Sequence, residues 1–191
     1  MQFRLDLIGE DRVEEHQSGH HFDSAKLRNV LKTVAKNAEY GKNLPEGHGV
    51  GIAMHYSFFS YVASIIEVSV KNNQLKVHKI HSVIDCGTAV NTDTIESQIQ
   101  GAAIFGMSLA FYGKITAKDG AVEQSGYHDY QMVRIHQAPE VNHVEIIKNN
   151  DKPTGVGEPG VPPIAPAIIN AIYNATGKRY YSLPLMDHDI V

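Results

Sequence analysis

The sequence predicts an α+β fold, a mostly antiparallel sheet with packed helices, and three features carry that expectation. Residues 50–83 are rich in β-branched and aromatic side chains and are divided by the turn Lys71-Asn72-Asn73-Gln74. Helical spacing of apolar residues recurs at 92–110 and again at 165–176. The resulting order, strands then helix then strands then helix, suits helices laid on a largely antiparallel layer.

Taken in order, residues 1–23 are polar and read as loop or an incomplete element. Ser24 is a suitable N-cap, and Ala25, Leu27, Val30, Leu31, Val34, Ala35 and Ala38 keep helical spacing toward Tyr40, where Gly41 can end the helix. Asn43 to Gly49 is turn-rich and sets the expected boundary between an N-terminal arm and helix, residues 1–45, and a main lobe, residues 46–191. Val50 to Val70 reads as one long bent strand or two strands, interrupted around Ser57-Phe58-Phe59-Ser60. A hairpin turn leads into the alternation Leu75, Val77, Ile80, Val83, which closes near Asp85-Cys86-Gly87. Thr92 or Asp93 can cap the next helix, which carries small residues on successive turns. Short strands are expected at 113–117 and 121–124 around Lys118-Asp119-Gly120, and a further strand at 141–147. Pro162 and Pro163 suit a first helical turn, the alanine-rich run from Ala165 to Thr176 continues it, and Gly177 stops it.

Composition excludes several functional classes. With 191 residues, 42% of them hydrophobic, the chain can fill a core. The net charge of -4 is dispersed, with no basic block to track phosphates, so nucleic acid is not an expected partner. The single cysteine, Cys86, excludes an internal disulfide and leaves the redox compartment undetermined. No run approaches the roughly 18 to 20 apolar residues that span a bilayer, and the localisation is otherwise open. There is no internal repeat.

The conspicuous local feature is Gly155-Val156-Gly157-Glu158-Pro159-Gly160, a single carboxylate among glycines and prolines at the entry to an apolar helix. Glycine permits positive φ or close approach, and Pro159 biases Glu158 toward extended backbone. The spacing Gly155-x-Gly157-x-x-Gly160 matches a dinucleotide fingerprint, but Pro159, Pro162 and Pro163 remove N–H donors and Lys148 to Thr154 separate it from the preceding strand. A nicotinamide cofactor is therefore not expected. A carboxylate desolvated at Glu158 would suit proton abstraction near neutrality, and the residues alone admit capping and catalysis equally. Gln98-Ile99-Gln100-Gly101, with Gly106 beyond, reads first as a glycine-lined helix crossing and second as an amide beside a ligand surface. The eleven histidines lie in separate segments without a convergent ligand set, so no metal site is expected from them. Cys86 reads as an inert buried thiol, and Ser57, Ser60 and Ser64 lack a nucleophile elbow.

Gly155-Val156-Gly157-Glu158-Pro159, followed by Pro162-Pro163-Ile164-Ala165-Pro166-Ala167-Ile168-Ile169-Asn170-Ala171-Ile172 and Ala175-Thr176-Gly177-Lys178-Arg179, resembles the C-terminal signature of the xanthine oxidase family of molybdenum hydroxylases. Within that family it resembles the branch of isoquinoline 1-oxidoreductase beta subunits and membrane-associated aldehyde dehydrogenases. Val83 to Asn91 resembles the family's strand-end stretch, and Gln98-Ile99-Gln100-Gly101 with Phe105-Gly106 resembles its pterin-side helix. Two departures stand out, Gln100 where a glutamate is frequent and Ala102-Ala103-Ile104-Phe105 without the common glutamine.

The resemblance implies the C-terminal lobe of a molybdopterin-binding domain. Glu158 would be the base that deprotonates a molybdenum-bound hydroxyl, Gln98 the amide on the pterin side, and Gly101, Gly106, Gly155 and Gly157 positions near the cofactor. It implies hydroxylation of N-heterocycles or oxidation of aldehydes with oxygen from water, and electron transfer to an iron–sulfur subunit or domain. Family subunits are several times longer, so an upstream lobe of the same subunit is the expected partner, and the isolated chain is expected to lack molybdenum and turnover. An exposed apolar face, with a homo-oligomer as its consequence, is expected where that lobe docks. The alternative is a non-catalytic assembly or small-molecule-binding module retaining the fold.

Overall fold

The computed structural model describes residues 1–17 and 19–191; Ser18, within the stretch expected to be loop, lies outside the described residues. In chain order the elements are α1 (Gln2–Ile8), β1 (Val13–Glu15), β2 (His21–Asp23), α2 (Ser24–Asn37), β3 (His48–Ser57), β4 (Ser60–Lys71) and β5 (Gln74–Asp85). They are followed by α3 (Thr92–Phe111), β6 (Ala117–Lys118), β7 (Ala121–Val122), β8 (Val141–Ile146) and α4 (Ile164–Thr176). The main sheet has the order β3-β4-β5-β8, antiparallel except for the parallel β5/β8 pair. The α+β expectation holds.

Strand period explains the layers. On β4 the odd residues Tyr61, Ala63 and Ile65 join Ile52 and Val83 under α2, where Val30, Leu31 and Val34 are fully buried. The even residues Ile66 and Val68 join Val77 and Ile80 on the opposite face, under α3 (Ala103, Met107, Ala110) and α4 (Ile164, Ile168, Ile172). A third cluster, Val62, Ile84, Cys86, Ile95, Ile99 and Val144, fills the end of that face near the tip of β5.

Several local expectations are corrected. Residues 1–23 are not loop throughout: they contain α1 and the β1/β2 hairpin, with Val13 paired to Asp23. The α2 cap is Asp23, whose carboxylate accepts from the Ala25 N–H at 2.8 Å, while Ser24 begins the helix. Tyr61 fastens this hairpin to the sheet: its hydroxyl accepts from the Asp23 N–H at 2.7 Å and donates to the His21 carbonyl at 3.3 Å. Burial pushes that phenol up to about 12. α3 is capped by Asn91, not by Thr92 or Asp93, through its side chain and the Thr94 N–H. β6 and β7 are two-residue stubs where longer strands were expected.

Gly49 is not a turn residue but the second residue of β3, and with Gly51 it seats α4 directly on the strand backbone. A β-carbon on Gly49 would lie 2.2 Å from the Ala171 carbonyl oxygen, and one on Gly51 would lie 1.9 Å from that of Ala167. Only hydrogen fits at either place. The alanines 167, 171 and 175 supply the matching small face of the helix. As β3 advances from Gly49 to Gly51 it meets successively earlier residues of α4, so the two run antiparallel.

A cleft around Glu158

β3 is longer than the helix that covers it. Past Gly51 and Ala53 the helix has run out at Ile164, and the next two side chains on that face, His55 and Ser57, look into an open cleft of about 510 Å³. The opposite wall is α3, through Gln98, Gly101, Ala102 and Phe105. The floor is the loop into α4, with Gly157, Glu158, Val161 and Pro162.

That loop is held at both ends by backbone bonds. Gly87, at φ 72, allows the 151–152 backbone to pass so close that a β-carbon there would meet the Lys152 carbonyl oxygen at 2.1 Å. The Thr88 N–H and hydroxyl both donate to the Asp151 carbonyl, at 2.9 and 2.8 Å, and the Thr154 N–H donates to the Cys86 carbonyl at 3.0 Å. Asp85, buried at the strand end, accepts from the Asn149 amide at 2.7 Å. The Gly155 N–H then donates to the Phe58 carbonyl at 3.0 Å, and the Ser60 hydroxyl donates to the Gly155 carbonyl at 2.6 Å. Beyond the carboxylate, the Val161 N–H closes a turn onto the Glu158 carbonyl at 3.0 Å. Gly160 packs on α3, where a β-carbon would lie 2.9 Å from that of Ala102. Glu158 is thus carried on backbone that β4, β5 and α3 hold in place.

Of the six residues singled out in the sequence, the fold brings four together: Glu158, Gln98, Gly101 and Gly157 line the one cleft. Gly101 faces open space, with nothing within 4 Å of an added β-carbon, and a β-carbon on Gly157 would lie 3.7 Å from the Gln98 amide nitrogen. Gly106 and Gly155 are elsewhere. Gly106 is buried at the crossing of α3 and α4, where a β-carbon would come within 2.7 Å of the Ile164 β-carbon, and a β-carbon on Gly155 would lie 2.6 Å from that of Phe58. Neither Gly155 nor Gly157 has positive φ; close approach is what their missing side chains permit. Glu158 is exposed, so this chain does not supply the desolvation expected for it.

Among the lining residues that went unread in the sequence as site residues are His55, Ser57, Phe58 and Phe105. His55 and Ser57 fall on alternate positions of a strand already assigned to the core, and nothing local marks where its covering helix stops. Burial lowers the His55 pKa below the usual histidine value. Phe58 and Phe59 form the two-residue β3–β4 turn at φ 51 and 63, the geometry that Asn72 and Asn73 adopt in the next hairpin at φ 52 and 61. Asparagine tolerates that geometry, whereas phenylalanine there is a genuine outlier.

The remaining candidates behave as ordinary structure. Cys86 is 1% exposed, and burial together with Asp85 pushes its thiol up, away from reactivity. Among the described residues no group of three or more histidines, cysteines or carboxylates could hold a metal ion. His78 is bound to the Ser69 hydroxyl at 2.7 Å and stacks on His48 at 4.8 Å.

The donor set fits the pterin end of a cofactor and not its phosphate. Gln98 offers a neutral amide, Ser57 has a hydroxyl oxygen buried without a partner, and Gly101 and Gly157 leave room for close approach. Among the described residues no lysine or arginine lines the cleft, so it offers a phosphate no cationic side chain.

Comparison with known proteins assigns the family. The family described as molybdopterin cofactor-binding domain matches residues 11–139. The beta subunit of isoquinoline 1-oxidoreductase of Brevundimonas diminuta is 31% identical over 161 residues, covering 82% of this chain and 20% of that protein. A membrane-bound aldehyde dehydrogenase (pyrroloquinoline-quinone) of Gluconacetobacter polyoxogenes is 27% identical over 198 residues, 100% of this chain and 26% of that protein. The aldehyde oxidoreductase of Desulfovibrio desulfuricans superposes with a TM-score of 0.56 at 29% identity, over 65% of this chain and 14% of that one. The chain therefore spans about a fifth to a quarter of the length of these two curated relatives. No helix among the described residues is long and apolar enough to cross a membrane.

Proposed function

Because the chain belongs to the molybdopterin cofactor-binding domain family of xanthine oxidase-type hydroxylases, we propose that it forms the wall of the reaction site that carries the catalytic base, Glu158. The observation that carries this reading is the convergence of Glu158, Gln98, Gly101 and Gly157 on one cleft from segments some 60 residues apart in sequence. The molybdenum cofactor, when bound, would supply through its metal the two-electron redox centre for inserting oxygen from water into a C–H bond.

The chain's own residues do the rest of the work assigned here. Glu158 takes up a proton at a carboxylate oxygen, and its position is fixed by the turn from its carbonyl to the Val161 N–H. Among the described residues that line the cleft, the carboxylate is the only acidic group and His55 the only other ionisable one. Gln98 presents its amide to the pterin, and Gly101 lets the cofactor approach the α3 backbone. Gly106 and Gly155 serve the site indirectly, by letting α3 pack on α4 and the loop pack on Phe58.

The substrates in this reading are N-heterocycles or aldehydes, and the two electrons released pass to an iron–sulfur subunit or domain. The exposed position of Glu158 and the absence of a cation in the cleft support a second lobe of the same subunit closing the site and holding the phosphate. The chain alone is then inactive and retains no molybdenum after purification, which metal analysis checks.

Glu158→Gln in the assembled, molybdenum-loaded enzyme tests the base. It should lower dye-linked kcat/KM by about 10² to 10⁴-fold with molybdenum content unchanged. Turnover at the parental rate would assign the chain to a non-catalytic role in assembly.

A further inference from the structure

The loop that carries Glu158 is gripped at one residue by both of its polar backbone atoms. The Gly155 N–H donates to the Phe58 carbonyl at 3.0 Å, and the Gly155 carbonyl accepts from the Ser60 hydroxyl at 2.6 Å. Both partners belong to the β3–β4 turn, whose central residues Phe58 and Phe59 hold left-handed backbone. Strain of this kind persists where the surroundings enforce it, and it clusters at functional sites. Here the turn and the loop enforce each other.

The chemistry of the hydroxyls fixes the direction of their protons. Ser60 is fully buried, and its oxygen also lies 2.6 Å from the Thr154 hydroxyl oxygen. A carbonyl can only accept, so the single Ser60 proton is committed to Gly155. The Thr154 proton must then run to the Ser60 oxygen. The result is a chain from Thr154 O–H to Ser60 O–H to the Gly155 carbonyl, in which each bond polarises the next. Thr154 is held independently, through its N–H on the Cys86 carbonyl at 3.0 Å. Losing the Ser60 hydroxyl therefore strips a carbonyl and a hydroxyl of their partner, whereas losing the Thr154 hydroxyl leaves the Ser60 bond to Gly155 in place.

What this grip controls lies three residues further along the chain. Among the described residues no hydrogen bond reaches the Glu158 carboxylate, so its place in the cleft is set through its backbone. Ser60 itself does not line the cleft. Displacement of a reacting group by about 1 Å can lower a rate on the order of 10²-fold, so a bond that holds this backbone in register bears on the chemistry.

We propose that Ser60 is a positioning residue for Glu158: by holding the Gly155 carbonyl against the β3–β4 turn, its hydroxyl fixes where the carboxylate stands. This rests on the reading of Glu158 as the base. It adds a buried side chain on β4, outside the cleft, to the groups on which turnover depends.

Hydrogen exchange of the 191-residue chain, followed by NMR, reads the grip without any cofactor. Ser60→Ala should lower the protection of the Thr154 and Gly155 amides about tenfold or more, with Ile168 and Ile172 of α4 unchanged. Ser60→Cys, which keeps the shape but is a weak donor, should repeat the loss. Thr154→Val should lower the same protection less than about threefold. In the assembled, molybdenum-loaded enzyme, Ser60→Ala should lower kcat about 10- to 100-fold, with KM and molybdenum content nearly unchanged. A merely structural role would reduce the amount of folded enzyme and leave kcat per molybdenum at the parental value. That result, or unchanged Gly155 protection in both Ser60 variants, or equal losses in Ser60→Ala and Thr154→Val, overturns the proposal. The base assignment fails separately: parental turnover in Glu158→Gln would leave the positioning without its object, while the loss of Gly155 protection in the isolated chain would remain.

Discussion

Ser57 shows how a single atom can set stability against function. Its hydroxyl oxygen is buried beside the cleft with no hydrogen-bond partner, and such an atom costs about 1–3 kcal/mol relative to a bonded one. Ser57→Ala removes the cost without leaving a large void, so we expect a gain of about 1 kcal/mol in unfolding free energy, measured by urea denaturation with an unchanged m-value. A loss of stability would mean that the hydroxyl has a partner in solution. The same scale explains what the sequence conveyed about the site. Glu158 was conspicuous because its neighbours are uncharged and conformationally restricted, and Gln98 because glycines flank its helix face. His55 and Phe58 were not, since their role depends on α4 beginning at Ile164 and on a left-handed turn built from residues that rarely form one. The desolvation expected of Glu158 was an inference from neighbouring residue types, and exposure is decided instead by which parts of the molecule lie overhead.

At the level of elements, the contact between α4 and β3 is made by backbone rather than by side chains. Gly51→Ala would drive a β-carbon into the Ala167 carbonyl oxygen, where no side chain can swing aside. We expect it to cost about 3 kcal/mol or more, at or beyond the upper end of ordinary overpacking, and to lower the melting temperature by several degrees. Gly101→Ala, by contrast, meets nothing within 4 Å and should leave folding essentially unchanged. Strands and long helices were readable because period and punctuation agree in them: Asn72-Asn73 marks one hairpin, and Gly177, left-handed at φ 72, ends α4 where expected. The first 23 residues misled because α1 and the β1/β2 hairpin are too short to show a period, and they are held by Tyr61, the α2 cap and a few apolar contacts such as Ile8, Leu5 and Phe22 on the α2 side of the core. Gly49 was taken for a turn because a glycine needed for close packing and one needed for a bend look the same in sequence.

For the molecule as a whole, histidine titration gives a measurable signature. Burial lowers the pKa of His55, His78 and His81 below 6.5, aided at His78 by His48 and at His81 by His143, and opposed at both by Glu67. Between the folded values and 6.5 the unfolded chain binds more protons than the folded one, so unfolding free energy rises with pH across that window. Stability should therefore fall as the pH drops below about 6.5 and level off once the folded histidines are themselves protonated. His81→Gln should flatten part of that slope, and a profile unchanged in this variant would place the titration elsewhere. The three-layer arrangement keeps His48, His78 and His81 away from the cleft, on strands whose opposite ends or faces meet α4 and the Glu158 loop, whereas His55 lines it.

The glycine seat of α4 has a mechanical consequence. A helix resting on side chains can creep by fractions of an ångström as those side chains repack, but one whose carbonyls bear on bare strand backbone has no compliant layer. Its next equivalent seat lies one alanine repeat away, a displacement of about 6 Å. Thermal motion within the native state is far smaller than that step, so α4 behaves as a part resting in a detent. The Glu158 loop is joined directly to the start of that helix. The carboxylate's position along the cleft is then indexed by two hydrogen atoms, one on Gly49 and one on Gly51, at the far end of the same strand that carries His55 and Ser57.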